Sequence, residues 1–209
     1  AGAFPHVAPD VIRDGGRGCP AWGDAGVICP WTVYLCYGDR RMLERQYASM
    51  VRWVEWRRKN SRNLVCREAC FGDWLTVDLP ERPSGWYPTP RDLIATAYFA
   101  HTAGIVARAA AIIGRKADAA RYGKLAKQVK DAFNREFVSA RGRLTGDTQT
   151  AYLLALAFDL LPESKRACAV EQLIGDIARR KGHLSTGFVG TPLLAPELTA
   201  RYGSRFLIS

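Results

Sequence analysis

Two short segments of the sequence each place a tryptophan close to an aspartate. They are Trp22-Gly23-Asp24-Ala25 and Gly72-Asp73-Trp74-Leu75. An aromatic ring stacks on the apolar face of a sugar ring, and a carboxylate accepts hydrogen bonds from the sugar hydroxyls. The two segments therefore predict a carbohydrate pocket to which Trp22, Asp24, Asp73 and Trp74 contribute.

The same residues also have a purely structural interpretation. A single tryptophan in a loop is commonly a core aromatic, and Asp24 could be the N-cap of a helix that begins near Pro30. The repetition of tryptophan and aspartate in two glycine-containing loops favours sugar contact. A core tryptophan needs no carboxylate beside it, and an unpaired buried carboxylate is costly.

Other aromatic residues and histidines are weaker candidates. Trp86 and Tyr87 precede a helix in a proline-rich segment, where a pocket wall and simple loop packing are both consistent with the pattern. We include Trp86 among the predicted substrate-binding residues. His183 lies in a loop between predicted helices and is a further candidate, whereas His101 and Tyr98, on an alanine-rich helix, are interpreted as core residues.

Hydrolysis of a glycoside requires two carboxylic groups that flank the scissile bond. Their separation is about 6.5–9.5 Å in inverting enzymes and about 5–5.5 Å in retaining enzymes. Asp24 and Asp73 are the acids in convincing loop contexts, with Asp10 and Asp14 as alternatives, and nothing marks any of them as a general acid. We therefore predict no catalytic residue within the chain and expect the catalytic pair to lie partly or wholly outside it.

Composition limits the classes of protein to consider. The 209 residues are 48% hydrophobic, which suffices for one domain, or a large part of one, to bury a core. The net charge is +10, but the densest basic runs, Arg57-Arg58-Lys59 and Arg179-Arg180-Lys181, fall near predicted helix ends and should lie on solvated faces. No zinc-finger spacing, phosphate loop or RNA-recognition signature is present, so we expect no nucleic-acid partner.

The six cysteines are Cys19, Cys29, Cys36, Cys66, Cys70 and Cys168. The chain is not small and shows no regular disulfide framework, so free and partly buried thiols are expected. Cys66 and Cys70 would share one face of a helix, but no histidine is close to them in sequence. We therefore predict no metal site, and acid/base hydrolysis of a glycoside needs no cofactor.

Membrane and targeting signals are weak. No apolar run approaches the ~18 residues of a membrane-spanning helix. The N-terminus lacks the charged and then apolar pattern of a signal peptide. We expect a soluble chain without a membrane partner, in a compartment that the sequence leaves open, with the cytoplasm slightly favoured.

Helical patterns account for most of the sequence after residue 22. Pro30 and Gly38 bound a first short helix, and Asp39 caps a longer one. Thr89 is the predicted cap of the helix that follows the long connection 62–89, whose aromatic content favours a functional segment. Later helices are predicted at about residues 90–113, 116–137, 148–161, 164–180 and after 190.

Small or apolar helices alternate with charged, one-sided ones in this pattern. This alternation is typical of helical hairpins wound into a double-layered barrel, in which inner helices are buried all round and outer ones on a single stripe. A plain helical bundle or a solenoid would also fit. The predicted fold class is therefore all-α, with an (α/α)6 barrel as the favoured architecture.

Several motifs in a fixed order extend over nearly the whole chain. They are Phe4-Pro5-His6-Val7-Ala8-Pro9, Gly23-Asp24-Ala25 with Pro30-Trp31 and Tyr37-Gly38-Asp39, Phe71-Gly72-Asp73-Trp74-Leu75, Ala95-Thr96-Ala97-Tyr98, Thr148-Gln149-Thr150, and Thr186-Gly187-Phe188-Val189-Gly190-Thr191-Pro192. In this order they resemble the catalytic domain of bacterial α-L-rhamnosidases of glycoside hydrolase family 78. The terminal residues 204–209 do not continue the pattern.

The resemblance implies an (α/α)6 barrel of six-hairpin type and an inverting hydrolysis that releases L-rhamnose from glycosides. It also implies that Trp22 and Trp74 line the rhamnose subsite, with Asp24 and Asp73 near its hydroxyls or supporting the site. The family's general acid is a Glu upstream of the Trp-Gly-Asp-Ala segment and its general base a Glu after the Thr-Gly-Phe segment, and neither motif is present here. Residues 1–209 are therefore expected to be a partial six-hairpin domain that is inactive alone.

An incomplete barrel would leave apolar inner faces uncovered, so we also expect poor solubility or self-association of the chain. Two other functions remain open. One is a non-catalytic carbohydrate-binding protein that retains the pocket, and the other is a different hydrolase of the same barrel architecture, glucosidase-like or trehalase-like.

Overall fold

The computed structural model describes residues 2–11, 18–67, 70–77 and 88–202, and within these ranges the fold is all-α. Extended pairing in the described part includes the isolated bridges Arg62–Val65 and Val138–Leu144. The helices are α1 (Ala25–Tyr37), α2 (Arg40–Asn60), α3 (Arg91–Ile112), α4 (Lys116–Phe137), α5 (Gln149–Ala157), α6 (Glu163–Arg179) and α7 (Thr191–Tyr202). The predicted fold class and the order of helices are confirmed.

The helices form two layers. Consecutive helices pack as the pairs α1–α2, α3–α4 and α5–α6, while α1, α3, α5 and α7 contact one another in that order. Helix α3 is buried over most of its surface, whereas α2, α4 and α6 bury one stripe each. By these contacts the odd-numbered helices form one layer and the even-numbered ones the other. The all-round burial expected of inner helices is found in α3 and α5, whereas α1 buries only Val27 and Pro30.

One predicted helix start and one predicted helix cap were wrong. Helix α1 begins at Ala25 instead of near Pro30, and Pro30 lies inside it; the burial of Val27 and Pro30 stabilises the extra turn against the lost backbone hydrogen bond. Thr89 does not cap α3, because its hydroxyl pairs with that of Thr148 at 2.7 Å. The C-terminal end of α1 is as predicted, since Gly38 adopts the left-handed conformation with φ of 67°.

One helix has the length and composition of a membrane span. It is α3, and 78% of its most apolar window is buried inside the fold. A core helix enclosed by its neighbours has the same composition as a membrane span, so we interpret α3 as the centre of the hydrophobic core.

The exposed apolar residues of α1 bear on self-association. Leu35 and Tyr37 are exposed to solvent, and self-association of the chain through this apolar surface remains a prediction.

His101 lies in α3 with its ring stacked on Phe158 at a centroid distance of 3.9 Å. Burial, reinforced by the positive charge of Arg108, lowers the pKa of His101 from 6.5 to about 4. The folded chain therefore binds this proton more weakly than the unfolded chain, so stability is lost as pH falls from about 6.5 towards 4.

We expect acidification across this interval to cost the wild-type chain about 2–3 kcal/mol more than it costs His101→Gln, as measured by urea unfolding at each pH. His183→Gln, at an exposed histidine, is the matched control, and its unfolding free energy should change with pH as that of the wild type does. Parallel pH profiles for wild type and His101→Gln would contradict the assignment.

Candidate functional site

The loops that lead into α1, α3 and α7 meet at the end of the fold where the inner helices begin. They comprise residues 18–24, 70–77 and 183–190. Contacts between the second and third of these loops include five hydrogen bonds to or from the segment 73–76. Both segments singled out by their tryptophan and aspartate therefore lie at the same place in the fold.

Asp73 holds the third loop in place. Its side chain is 1% exposed. One carboxylate oxygen accepts hydrogen bonds from the backbone N–H groups of Val189 (2.9 Å) and Gly190 (3.3 Å), and the other from the N–H of Gly187 (2.8 Å) and the hydroxyl of Thr150. With two donors on each oxygen, the buried negative charge is well satisfied by neutral protein groups.

The backbones of the second and third loops also touch directly. Phe188 N–H donates to the Trp74 carbonyl at 2.7 Å, and the hydroxyl of Thr76 donates to the Ser185 carbonyl at 2.7 Å. A Cβ on Gly187 would lie 2.4 Å from the Trp74 carbonyl oxygen. Only glycine permits this approach, which gives a physical reason for the Thr-Gly-Phe sequence.

Gln149 connects the third loop, residues 183–190, to helix α6. Its side chain is fully buried; its amide donates to Asp176 of α6 at 2.9 Å, and its carbonyl oxygen accepts from the N–H of Ser185 at 3.0 Å. Thr148, the preceding residue, caps α5 by accepting from the N–H of Ala151. The Thr-Gln-Thr motif therefore serves to hold the loops, with a separate role for each side chain.

Asp24 occupies the N-cap position of α1, but its side chain does not cap that helix. The carboxylate is 0% exposed and accepts hydrogen bonds from Trp53 Nε1 at 2.6 Å and from the N–H of Ala21 at 2.9 Å. Arg57 lies 3.8 Å away from it. Burial raises the pKa of Asp24, while Arg57 and the two hydrogen bonds oppose this rise.

Arg57 corrects one expectation from the sequence. It was predicted to lie on a solvated face at the end of α2, and it is fully buried. Its guanidinium stacks over the rings of Trp53 at 4.4 Å and Trp56 at 5.4 Å and forms the ion pair with Asp24. The aromatic rings and the carboxylate together compensate for removing this cation from water.

The tryptophans of the two motifs lie side by side at the surface. The ring centroids of Trp22 and Trp74 are 6.5 Å apart, and Phe188 stacks on Trp22 at 5.4 Å with an interplanar angle of 22°. Trp74 is 48% and Phe188 60% exposed, and Trp22 is half-buried. Beneath them, Phe71 contacts both tryptophans. We refer to Trp22, Trp74 and Phe188 as the aromatic face.

The structure thus brings together four of the five predicted substrate-binding residues. Trp22 and Trp74 reach the surface, whereas Asp24 and Asp73 lie beneath it and accept hydrogen bonds from protein groups. Trp86 lies outside the described residues. Whether any of the five contacts a sugar remains a prediction.

Several residues that build this end of the fold were not predicted as site residues from local patterns. They are Phe71, Gln149, Thr150 and Phe188. The family resemblance quoted all of them within its motifs, and that was the available signal. Of the alternative acids, Asp10 is exposed and Asp14 lies outside the described residues; His183 is exposed, and its carbonyl accepts a hydrogen bond from Gln149.

The cysteines depart from the prediction of free thiols. Cys19 and Cys70 form a disulfide with their Cα atoms 5.5 Å apart, while Cys29, Cys36, Cys66 and Cys168 are free. Cys66 and Cys70 do not share a helix, since neither lies in one. The disulfide was missed because its partners are separated by 51 residues, and only the packing of the first two loops brings them together.

Comparison with known proteins identifies the class. Residues 1–208 match the family model described as the bacterial alpha-L-rhamnosidase 6 hairpin glycosidase domain. The fold superimposes on the crystal structure of Streptomyces avermitilis α-L-rhamnosidase complexed with L-rhamnose with a TM-score of 0.88 and 41% identity, covering 97% of this chain and 19% of that one. Native α-L-rhamnosidase from Aspergillus terreus gives a TM-score of 0.89 and 28% identity, covering 97% of this chain and 24% of that one.

Sequence relatives agree. The chain is 42% identical over 198 residues to an α-L-rhamnosidase of Streptomyces avermitilis, covering 95% of this chain and 18% of the relative. It is 40% identical over 198 residues to one from Formosa agariphila, covering 94% of this chain and 21% of the relative. The fold is thus that of the six-hairpin glycosidases, which are glycoside hydrolases. The chain belongs to the bacterial α-L-rhamnosidase family, and it spans about a fifth of the length of the curated relatives that it matches.

Proposed function

We propose that the chain is part of a glycoside hydrolase that releases terminal α-L-rhamnose, and that it supplies one wall of the rhamnose subsite. The observation that carries this proposal is the aromatic face, in which Trp22 and Trp74 reach the surface 6.5 Å apart where the loops converge. L-Rhamnose is a 6-deoxy sugar, so its methyl group and ring CH groups offer apolar surface that matches such a wall.

Asp24 and Asp73 act in this proposal as positioning residues. The oxygens of Asp73 already receive two protein donors each, and Asp24 receives the indole N–H of Trp53. Their contribution is to fix the loops that present Trp22 and Trp74, and hydroxyl recognition falls to other groups around the sugar. This corresponds to the supporting role that the sequence left open for them.

Residues 1–209 form, in this proposal, a partial six-hairpin domain, and the reaction is an inverting hydrolysis. A carboxylic acid would protonate the leaving oxygen and a carboxylate would activate a water on the opposite face of the sugar, the two being about 6.5–9.5 Å apart. Both groups would come from outside residues 1–209. The chain by itself is therefore expected to bind L-rhamnose without hydrolysing rhamnosides.

Two assays test the proposal. Quenching of tryptophan fluorescence measures binding of L-rhamnose to the 209-residue chain, with D-glucose as the control sugar. Release of aryl alcohol from an aryl α-L-rhamnoside is measured for the chain and for the longer reading frame that contains it, and NMR of the first-formed sugar anomer reports inversion. Binding by the chain with turnover only in the longer protein supports the proposal. Binding without turnover in the longer protein favours a carbohydrate-binding protein, and turnover of a glucoside instead favours another hydrolase of this class.

Trp74→Ala is expected to weaken binding of L-rhamnose about tenfold to hundredfold, because it removes apolar contact area worth about 1.5–3 kcal/mol. The fold should be unaffected, since this side chain is half exposed. Tyr37→Ala removes an exposed aromatic residue at the far end of α1 and is the matched control. Unchanged affinity in Trp74→Ala, with a circular dichroism spectrum like that of the wild type, would remove the aromatic face from the subsite.

A further inference from the structure

Three side chains of metal-ligand type converge behind the aromatic face. They are His6, Cys19 and Cys70, and their ligand atoms all lie within 4.8 Å of one another. In tetrahedral zinc coordination, with Zn–S of about 2.3 Å and Zn–N of about 2.0–2.1 Å, neighbouring ligand atoms are about 3.3–3.8 Å apart. Once the disulfide is reduced, the two sulfur atoms can separate. Side-chain movements of about an ångström or two would then bring the three ligand atoms to this tetrahedral spacing.

We propose that His6, Cys19 and Cys70 bind a zinc ion when the Cys19–Cys70 disulfide is reduced. Two thiolates and one imidazole suit a borderline-soft divalent cation, and their summed charge neutralises it. Three protein ligands leave the fourth position to water. In this state zinc replaces the disulfide as the connection between the loop of Trp22 and the loop of Trp74.

The surroundings of the three side chains are those of a built site. Cys19 is 2% exposed, and both ring nitrogens of His6 are buried. The His6 ring packs on Phe71 with a centroid distance of 5.1 Å. The N–H of Gly18 donates to the Phe4 carbonyl at 2.9 Å, which ties the N-terminal segment to the loop of Cys19. His6 is thus held beside the two sulfurs by packing and by a backbone hydrogen bond.

The interconversion of the two states requires an external dithiol as the reductant. One of its thiolates attacks the sulfur of Cys70, the S–S bond breaks, and Cys19 leaves as a thiolate. The second thiolate of the dithiol then displaces Cys70, so that the dithiol becomes a disulfide and the two electrons reside on Cys19 and Cys70. Zinc binds the two thiolates, and any proton that they carry is released to solvent.

This inference is independent of the proposed function, because its readout is metal content. The 209-residue chain is prepared oxidised, and also reduced with a phosphine, and each form is equilibrated with Zn²⁺, desalted and analysed by mass spectrometry. We expect one zinc per chain in the reduced form and none in the oxidised form. Co²⁺ added to the reduced chain should show thiolate-to-cobalt charge-transfer absorption.

Variants locate the ligands. Cys19→Ser and Cys70→Ser should each weaken zinc binding at least about 100-fold, because loss of a direct ligand exceeds the 10–100-fold effect of an outer-shell residue. His6→Ala should weaken binding while retaining the thiolate charge-transfer band. Cys168→Ser is the matched control and should bind like the wild type. Retention of the metal in a Cys19→Ser/Cys70→Ser variant would overturn the proposal.

A measurement on the wild type avoids variants that fail to fold. Reduced chain is alkylated with and without Zn²⁺, and modification is followed at each cysteine by mass spectrometry. Zinc should protect Cys19 and Cys70, while Cys29 and Cys36, which are exposed on α1, serve as internal references. Equal alkylation of all four with zinc present, or protection of Cys29 and Cys36 instead, would contradict the assignment.

Discussion

Asp73→Ala is expected to lower the free energy of unfolding by about 3–5 kcal/mol, the largest effect that we predict for a single substitution. The substitution leaves the backbone N–H groups of Gly187, Val189 and Gly190 and the hydroxyl of Thr150 without their shared acceptor. Each is buried, so water does not readily replace the carboxylate. Urea unfolding followed by circular dichroism measures the change.

The Asn variant at the same position separates charge from shape. In Asp73→Asn one carboxylate oxygen becomes an NH2 group that faces N–H or O–H donors, so we expect a substantial part of the loss to persist. Asp131→Asn, at an exposed acid of α4, is the matched control and should change stability by no more than about 0.5 kcal/mol. An Asp73→Ala variant as stable as that control would show that the loop 183–190 is held by other contacts.

Loss of Asp73 should also abolish binding of L-rhamnose under conditions where the helices remain folded. Trp74 follows Asp73 directly, and its carbonyl accepts the N–H of Phe188 from the loop that Asp73 anchors. Releasing that loop would separate Phe188 from the rest of the aromatic face. In Asp73→Ala, rhamnose binding should therefore be lost at a lower urea concentration than the helical circular dichroism signal.

Asp24→Ala is expected to cost about 2–4 kcal/mol of unfolding free energy, because it removes the acceptor of Trp53 Nε1 and Ala21 N–H and the carboxylate beside buried Arg57. Asp24→Asn should cost less. Burial raises the pKa of Asp24, which means that this buried position disfavours the charged form of the side chain and accepts a neutral side chain of the same shape more readily.

The pH dependence of the unfolding free energy tests the direction of the pKa shift of Asp24. Because its pKa is raised in the folded state, the folded chain holds this proton more tightly than the unfolded chain, and stability falls as pH rises from 3.8 through the raised value. The stability advantage of wild type over Asp24→Asn should therefore be largest at low pH and should narrow as pH rises. A stability advantage of wild type over Asp24→Asn that widens as pH rises would contradict this account. A double-mutant cycle with Trp53→Phe separately measures the hydrogen bond from the indole to Asp24.

Local spacing in the sequence was enough to locate most helices. The stripe of Leu43, Tyr47, Met50 and Val54 was predicted from its 3.6-residue spacing and is buried in α2, and α4 spans residues 116–137 as its pattern indicated. The order of motifs also led to the correct family and hence to the six-hairpin fold. Helix periodicity and motif order are properties of neighbouring residues, so the linear sequence carries them directly.

Tertiary structure alone decided what the polar and sulfur-containing side chains do. The partners of the Asp73 side chain lie 77–117 residues further along the chain. The disulfide partner of Cys19 lies 51 residues away, and Trp53, which donates to Asp24, lies 29 residues away. Arg57 is buried although its neighbours in sequence indicated a solvated face. Hydrogen bonds, disulfides and ion pairs depend on distances of a few ångströms between groups that meet only after the helices pack. The sequence by itself therefore determined most helices, the family and the two segments that supply Trp22 and Trp74. Packing determined that Phe188 joins these tryptophans and that Asp24 and Asp73 lie beneath them and hold the loops together.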